Sequence, residues 1–124
     1  CLGMQLLYES SEEDNGCKGL GIIPGKVKRI KNKNDIRVPN IGWRKIVNSN
    51  KSMLLKEVEI EPIFYFVHSY ACEALNKKAV TGILNYGESY DAIIETDYVY
   101  GTQFHPEKSQ AAGLKVLKNF SQII

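Results

Sequence analysis

The chain has 124 residues and a formal net charge of +2; 44% of its residues are hydrophobic and 24% are charged. These values are typical of one globular domain with its own core, and the small net charge argues neither for nor against a polyanionic partner. No apolar run approaches the ~20 residues that span a bilayer, and no signal-peptide pattern is present, so we expect no membrane association.

The three cysteines, Cys1, Cys17 and Cys72, cannot all pair with one another. Their spacing, with two distant histidines, matches no zinc pattern, so we expect no metal site. The sequence therefore predicts that Cys17 and Cys72 are free thiols in the reducing environment of the cytoplasm.

Residues 1–10 predict a helix, because Met4, Leu7 and Tyr8 recur at helical spacing. A polar loop over residues 11–18 follows, and then an apolar run ends in a turn at Pro24-Gly25.

Residues 26–30 alternate in the manner of a half-buried strand. We assign the basic residues of this region to a solvated strand face; they are Lys26, Lys28, Arg29, Lys31 and Lys33. Since no aromatic residues interleave with them, we expect no nucleic-acid binding.

The central part of the chain predicts mainly strands. Residues 51–57 indicate one short helical turn capped by Ser52. The aromatic and β-branched run at 63–69 indicates a buried strand. The remaining β-rich runs, which form a hairpin and then a third strand leading to His105, are 80–86, 89–96 and 98–104.

Residues 109–124 predict an amphipathic helix that begins at Ser109 as N-cap. Its apolar stripe, which we interpret as core packing, comprises Gly113, Val116, Leu117, Phe120 and Ile124.

The chemistry of the chain centres on His105 and Glu107, which are separated by Pro106. In an extended segment their side chains point to the same side, and Pro106 favours that conformation at His105. A carboxylate beside an imidazole orients a histidine base, and Cys1 is the candidate nucleophile that this base requires.

Several motifs together resemble one family. The segments CLGMQLL and GTQFHPEKSQ resemble the nucleophile turn and the His-x-Glu signature of class I glutamine amidotransferases. Further blocks are similar to the glutaminase subunits of imidazole glycerol phosphate synthase, in this order: GLGIIPGKV, VPNIGW, FYFVHSY, and KSQAAGL followed by KNF.

The resemblance implies an α/β fold with a flavodoxin-like sheet flanked by helices and an antiparallel meander. It also implies that the N-terminal strands of the family domain lie outside residues 1–124, which would form a partial domain. Cys1, His105 and Glu107 would be the catalytic triad. The backbone N–H of Leu2 would donate to the oxyanion, and a loop preceding Cys1 would supply a second donor. We therefore expect little glutaminase activity from residues 1–124 alone.

The resemblance further assigns the substrate glutamine to Gln5, Ser69 and Tyr70, leaving His68 with a structural role. It implies no cofactor. It also implies a (βα)₈ cyclase partner that receives the ammonia. Residues directed towards that partner would be Lys108, Trp43 and Tyr65.

Three alternatives remain open. Cys1 could serve as an N-terminal nucleophile with its own amine as base, which would leave His105 without a role. The chain could be an inactive docking fragment. It could also be a paralogous glutaminase that supplies another synthase, such as one making surface sugars.

Overall fold

The computed structural model describes residues 1–123, which form a mixed α/β structure dominated by strands. The two helices are α1 (Leu2–Leu6) and α2 (Gln110–Ser121). The ten strands are β1 (Tyr8–Ser11), β2 (Cys17–Lys18), β3 (Ile23–Arg29), β4 (Asn40–Lys45), β5 (Val47–Asn48), β6 (Ile63–His68), β7 (Tyr70–Ala74), β8 (Val80–Tyr86), β9 (Glu88–Glu95) and β10 (Tyr100–Thr102). Three short 3₁₀ turns cover Glu13–Asn15, Lys77–Ala79 and Pro106–Lys108.

Eight strands form one sheet in the order β2-β1-β3-β7-β9-β8-β5, with β10 added to β9. Strands β4 and β6 form a separate antiparallel ribbon. Within the described chain, β1 and β3 are the parallel pair and the other pairings are antiparallel. The predicted α/β class and the β8-β9-β10 meander are confirmed. Neither helix of residues 1–123 is long and apolar enough to cross a membrane.

Two clusters of buried apolar side chains form the core. Ile93 belongs to one cluster and Ile94 to the other, so they lie on opposite faces of the sheet, since adjacent side chains of a strand point in opposite directions. In the first cluster the ring of Phe104 stacks on Phe64 with centroids 3.8 Å apart and meets Phe66 edge-on. Phe104 thus fixes the segment that leads to His105 against β6.

The first predicted helix is shorter than expected, because α1 ends at Leu6 and the chain enters β1 at Tyr8. Tyr8 pairs with Ile23 of β3 and is fully buried. Its hydroxyl donates to the buried Asp91 carboxylate at 2.7 Å. The helical spacing correctly marked Met4 and Tyr8 as buried, but long-range pairing decided the conformation after Leu6.

The turn predicted at Pro24-Gly25 is also wrong, because β3 passes through both residues. Gly25 pairs with Ala74 of β7 at a φ of +150°. A Cβ on Gly25 would lie 2.3 Å from the Glu73 carbonyl oxygen, so glycine here permits close approach of two strands rather than a turn.

At residues 54–57 the chain forms hydrogen-bonded turns without an α-helix. Ser52 nevertheless acts as predicted at the start of these turns, since its Oγ accepts a hydrogen bond from the Leu55 amide at 3.1 Å.

Helix α2 confirms only part of its predicted stripe. Gly113 and Val116 are buried, whereas Leu117 and Phe120 are exposed. The third buried position is Asn119, whose Nδ2 donates to the carbonyls of Leu54 and Lys56 at 2.8 Å each. Ile124 lies outside the described residues.

Ser109 precedes α2 as predicted, but its side chain does not cap the helix. Its Oγ donates to the His105 carbonyl at 2.6 Å and accepts from the Tyr65 amide at 2.9 Å. Ser109 therefore connects the segment after His105 to β6.

Candidate active site

A cleft of about 290 Å³ opens between α1 and the junction of β6 and β7. Its lining residues are Cys1, Leu2, Gln5, Glu13, Arg29, His68, Ser69 and Tyr70. The fold therefore brings together the predicted nucleophile, the predicted oxyanion donor and all three predicted substrate contacts, although these residues span 70 positions of sequence.

Cys1 is half-buried at one side of this cleft and is fixed by contacts far along the chain. Its backbone nitrogen donates to the Thr102 carbonyl at 3.0 Å. Its Sγ lies 3.9 Å from the Val67 carbonyl oxygen and accepts a hydrogen bond from Gln103 Nε2 at 3.1 Å. The sulfur is thus placed between the end of β10 and the edge of β6.

His105 and Glu107 form the predicted pair, with Nδ1 of the ring 2.8 Å from the carboxylate Oε1. Because a carboxylate only accepts, Nδ1 carries the proton and Nε2 is left to accept a proton from elsewhere. His105 itself has the predicted extended backbone, but the extended segment does not continue to Glu107, since Pro106 begins a 3₁₀ turn directly after His105. Because the backbone turns at Pro106, the side chains of His105 and Glu107 meet on the same side of the chain.

The Glu107 carboxylate has a pKa below its usual value. Partial burial disfavours the charged form, but the hydrogen bond and the charge of His105 outweigh that effect. Glu107 is therefore ionised near neutral pH and orients the His105 ring by accepting from Nδ1.

Strand β6 contacts both Cys1 and His105 through its backbone carbonyls. The Tyr65 carbonyl accepts from the His105 amide at 3.0 Å, and the Val67 carbonyl faces the Cys1 sulfur. Residues two apart in a strand direct their carbonyls to the same edge, about 7 Å apart. Both catalytic candidates therefore lie along one edge of β6. Within residues 1–123 the side-chain hydrogen bond to the sulfur comes from Gln103, and no Cys1–His105 bond is formed.

His68 has the features of a structural histidine, as the sequence predicted. Burial lowers its pKa to about 4, so the ring is neutral. Its Nδ1 donates to the Tyr70 carbonyl at 2.8 Å, and its Nε2 accepts from Asn40 Nδ2 at 3.0 Å. Both ring nitrogens are occupied, which leaves no site for proton transfer.

Three polar residues of the site were missed by sequence reasoning, namely Glu13, Arg29 and Gln103. Glu13 was assigned to a loop and Arg29 to a solvated strand face, yet both line the cleft. The Arg29 guanidinium also lies over the Tyr70 ring at 5.7 Å from its centroid. Only Gln103 carried a signal, because it lies inside the motif that contains His105.

The residues predicted to face a partner lie on or beside the β4–β6 ribbon. Trp43 and Tyr65 are cross-strand neighbours with ring centroids 5.6 Å apart in edge-to-face geometry. Trp43 is 46% exposed, so it is not a core residue. Lys108 is exposed in the turn directly after Glu107.

Cys17 and Cys72 are free thiols, as predicted, and Cys17 is exposed whereas Cys72 is buried. Among residues 1–123, no three His, Cys, Asp or Glu side chains lie close enough together to hold a metal ion.

Comparison with known proteins gives one consistent result. Residues 1–123 match the sequence profile of the family described as "Glutamine amidotransferase class-I". The chain is also similar to proteins named "Imidazole glycerol phosphate synthase subunit HisH". Examples are those of Chlorobium chlorochromatii (45% identity over 124 residues, 99% of this chain), Methanothermobacter thermautotrophicus (48% over 124 residues, 100% of this chain) and Leptospira borgpetersenii (42% over 126 residues, 99% of this chain). The chain spans 61% of the length of each of these three relatives.

Proposed function

Because the chain belongs to the class I glutamine amidotransferase family, we propose that it hydrolyses the side-chain amide of glutamine and releases ammonia. The observation that carries this proposal is the cleft that contains Cys1, Gln5, Ser69 and Tyr70 together. Its volume of about 290 Å³ suits a small amino acid.

In the first half of the reaction, the Cys1 thiolate attacks the side-chain carbonyl carbon of glutamine. As the tetrahedral intermediate collapses, the C–N bond breaks and the protonated His105 gives its Nε2 proton to the departing nitrogen, which leaves as ammonia. A thioester between Cys1 and the glutamyl group remains.

In the second half, neutral His105 takes a proton from water at Nε2, and the hydroxide attacks the thioester carbon. The C–S bond breaks, glutamate leaves and the thiolate is restored. Glu107 holds the ring through Nδ1 during both halves, and its negative charge stabilises the imidazolium.

The oxyanion formed in each half requires hydrogen-bond donors. Leu2 lies in the first turn of α1, whose amides have no acceptor within the helix, so its N–H is available to the oxyanion. Gln5, Ser69 and Tyr70 would contact the remaining part of glutamine.

We further propose that the ammonia passes to a cyclase subunit of the (βα)₈ type in histidine biosynthesis. The support is the similarity to subunits of imidazole glycerol phosphate synthase at 41–48% identity. The exposed Trp43, the half-buried Tyr65 that it contacts and the neighbouring Lys108 form a surface suited to such a partner, since tryptophan and tyrosine are enriched at interfaces.

The test is release of glutamate and ammonia from glutamine, measured with and without the cyclase subunit. We expect Cys1→Ser to abolish turnover, whereas Cys17→Ser, the same change at an exposed cysteine outside the cleft, leaves it unchanged. Since residues 1–124 alone are expected to have little activity, the assay uses the chain extended to the length of its relatives. If a glutamine-like electrophile labels Cys1 of that protein but no ammonia is released in either condition, the proposal is refuted.

His105→Asn separates the triad from a mechanism that uses the Cys1 amine as base. The triad predicts loss of turnover, and the amine mechanism predicts that turnover survives. Replacing the cyclase in the assay by another ammonia-dependent synthase tests the paralogue alternative, because only the physiological partner should stimulate glutamine hydrolysis.

A further inference from the structure

The hydrogen-bond donor to the Cys1 sulfur is a side chain to which the mechanism above gives no role. Gln103 is 1% exposed, and its Nε2 lies 3.1 Å from Cys1 Sγ. A carboxamide is costly to bury unless its polar atoms are paired. Both polar atoms of the Gln103 carboxamide have hydrogen-bond partners, and one of these partners is the predicted nucleophile.

The orientation of the Gln103 amide is fixed by its neighbours. Gln5 Nε2 donates to the Tyr70 carbonyl at 2.9 Å, and a carbonyl can only accept, so this end of Gln5 is its amino group. The Gln103 atom 3.3 Å from the same nitrogen must therefore be the oxygen. Consequently the amino group of Gln103 faces the sulfur.

A second donor reinforces this orientation. Cys72 Sγ lies 3.8 Å from Gln103 Oε1, and burial raises the pKa of the Cys72 thiol, so it stays protonated and donates. Two donors on the amide oxygen polarise the amide and strengthen its N–H groups as donors. A chain of hydrogen bonds thus runs from the Tyr70 carbonyl through Gln5 and Gln103 to the sulfur.

We propose that Gln103 is a positioning residue that holds the Cys1 sulfur in the cleft and favours its thiolate form by donating an N–H to it. The catalytic value of this contact rests on the proposed function, which requires a thiolate at Cys1. Hydrogen bonds to an anionic acceptor are stronger than bonds to its neutral form, so the donor shifts the sulfur towards the thiolate. Helix α1 has only five residues, so its dipole stabilises a thiolate only weakly, and a side-chain donor adds to that stabilisation.

Other charged or titratable groups lie near the sulfur or near Gln103. Glu13, Arg29 and His68 line the cleft with Cys1. The charge of Glu107, which is paired with His105, acts on the Cys1 amino group. Cys72 loses its acceptor in Gln103→Leu, but burial keeps that thiol protonated, and the other groups form no hydrogen bond with Gln103.

The first experiment measures the rate of Cys1 alkylation by iodoacetamide against pH, with peptide mass mapping, in a Cys17→Ser background. Removal of the donor in Gln103→Leu should raise the apparent Cys1 pKa by about one unit, which lowers the thiolate fraction about tenfold at low pH. Gln103→Glu should raise the Cys1 pKa further, because it places a carboxylate beside the sulfur. The matched control Gln122→Glu, on an exposed residue after α2, should change nothing.

A second measurement needs no substitution in the site. In ¹⁵N-labelled protein, the side-chain NH₂ resonances of Gln103 should shift with the Cys1 titration and after alkylation of Cys1, while those of Gln122 should not. An unchanged alkylation profile in folded Gln103→Leu and Gln103→Glu, or Gln103 resonances indifferent to the sulfur, would overturn the assignment.

These measurements do not depend on turnover, so the two proposals fail separately. Full glutaminase activity with an unshifted Cys1 profile in Gln103→Glu would refute the positioning role alone. A shifted profile in a protein that never releases ammonia would refute the glutaminase function and retain the contact.

Discussion

Replacement of Gly113 by alanine should destabilise the protein, although the change favours helix formation. Gly113 is buried in α2 against the 3₁₀ turn that begins at Pro106. A Cβ on Gly113 would lie 1.9 Å from the Pro106 carbonyl oxygen and 2.8 Å from its carbonyl carbon. Since real Cβ contacts are essentially never shorter than 3.0 Å, the helix and the turn must separate by at least about 1 Å.

Two opposing effects set the size of the change. Alanine in a helix interior is favoured over glycine by about 0.5–1 kcal/mol. Overpacking a buried site costs about 1–3 kcal/mol, and here the obstacle is backbone that cannot rotate away. We therefore expect a net loss of about 1–2 kcal/mol in the free energy of unfolding.

The same displacement should impair catalysis, because the turn carries both His105 and Glu107. A misplacement of about 1 Å in catalytic geometry can lower the rate as much as 10²-fold, so we expect kcat to fall roughly 10- to 100-fold.

Urea unfolding and steady-state glutaminase kinetics test both expectations. Gly3→Ala is the matched stability control, since a Cβ there meets no atom within 4 Å and should stabilise α1. If Gly113→Ala proves as stable as wild type and retains its kcat, the close contact between α2 and the turn is wrong.

Three further outcomes are expected. Glu107→Gln retains an acceptor for His105 Nδ1 but loses the negative charge. Because Glu107 is 56% exposed, its attraction to the imidazolium at 2.8 Å in a water-like dielectric is about 1.5 kcal/mol, so we expect a roughly tenfold lower kcat. An unchanged kcat would contradict a role for the charge. Buried His68 has a pKa of about 4, against about 6.5 when it is unfolded, so between these pH values the unfolded chain binds a proton that the folded chain does not. The free energy of unfolding therefore falls as the pH falls, by about 2 kcal/mol at pH 5. Urea unfolding of His68→Gln at pH 7 and 5 should show a smaller pH dependence than wild type, and an equal one would exclude His68 as its source. Lys108→Glu should weaken association with the proposed cyclase partner in calorimetry, whereas Lys118→Glu, the same charge reversal at an exposed position of α2, should not. Equal affinities of the two variants would show that Lys108 lies outside the proposed interface.

The local sequence was sufficient where neighbours along the chain decide the structure. The hairpin around Gly87 appears in the structure at β8 (Val80–Tyr86) and β9 (Glu88–Glu95), close to its predicted bounds. The contact between His105 and Glu107 was also predicted, because only one residue separates them.

Local pattern failed where a distant strand decided the conformation. Tyr8 fits a helical period, but it is held in β1 by its pairing with Ile23 and by its bond to Asp91, which lies 83 residues away. The residue types of Pro24-Gly25 are typical of a turn, but close packing of Gly25 against the Glu73 backbone keeps both residues within β3.

By itself, the sequence determined which groups are available for the proposed chemistry, namely the thiol of Cys1, the imidazole of His105 and the carboxylate of Glu107. Only the tertiary structure decided which groups surround the sulfur. Gln103, Val67 and Thr102 meet Cys1 because β10 and β6 end beside α1, a relation that depends on sheet order rather than on local spacing. Burial then makes the pairing of Gln103 obligatory, since a carboxamide removed from water must find its partners within the protein.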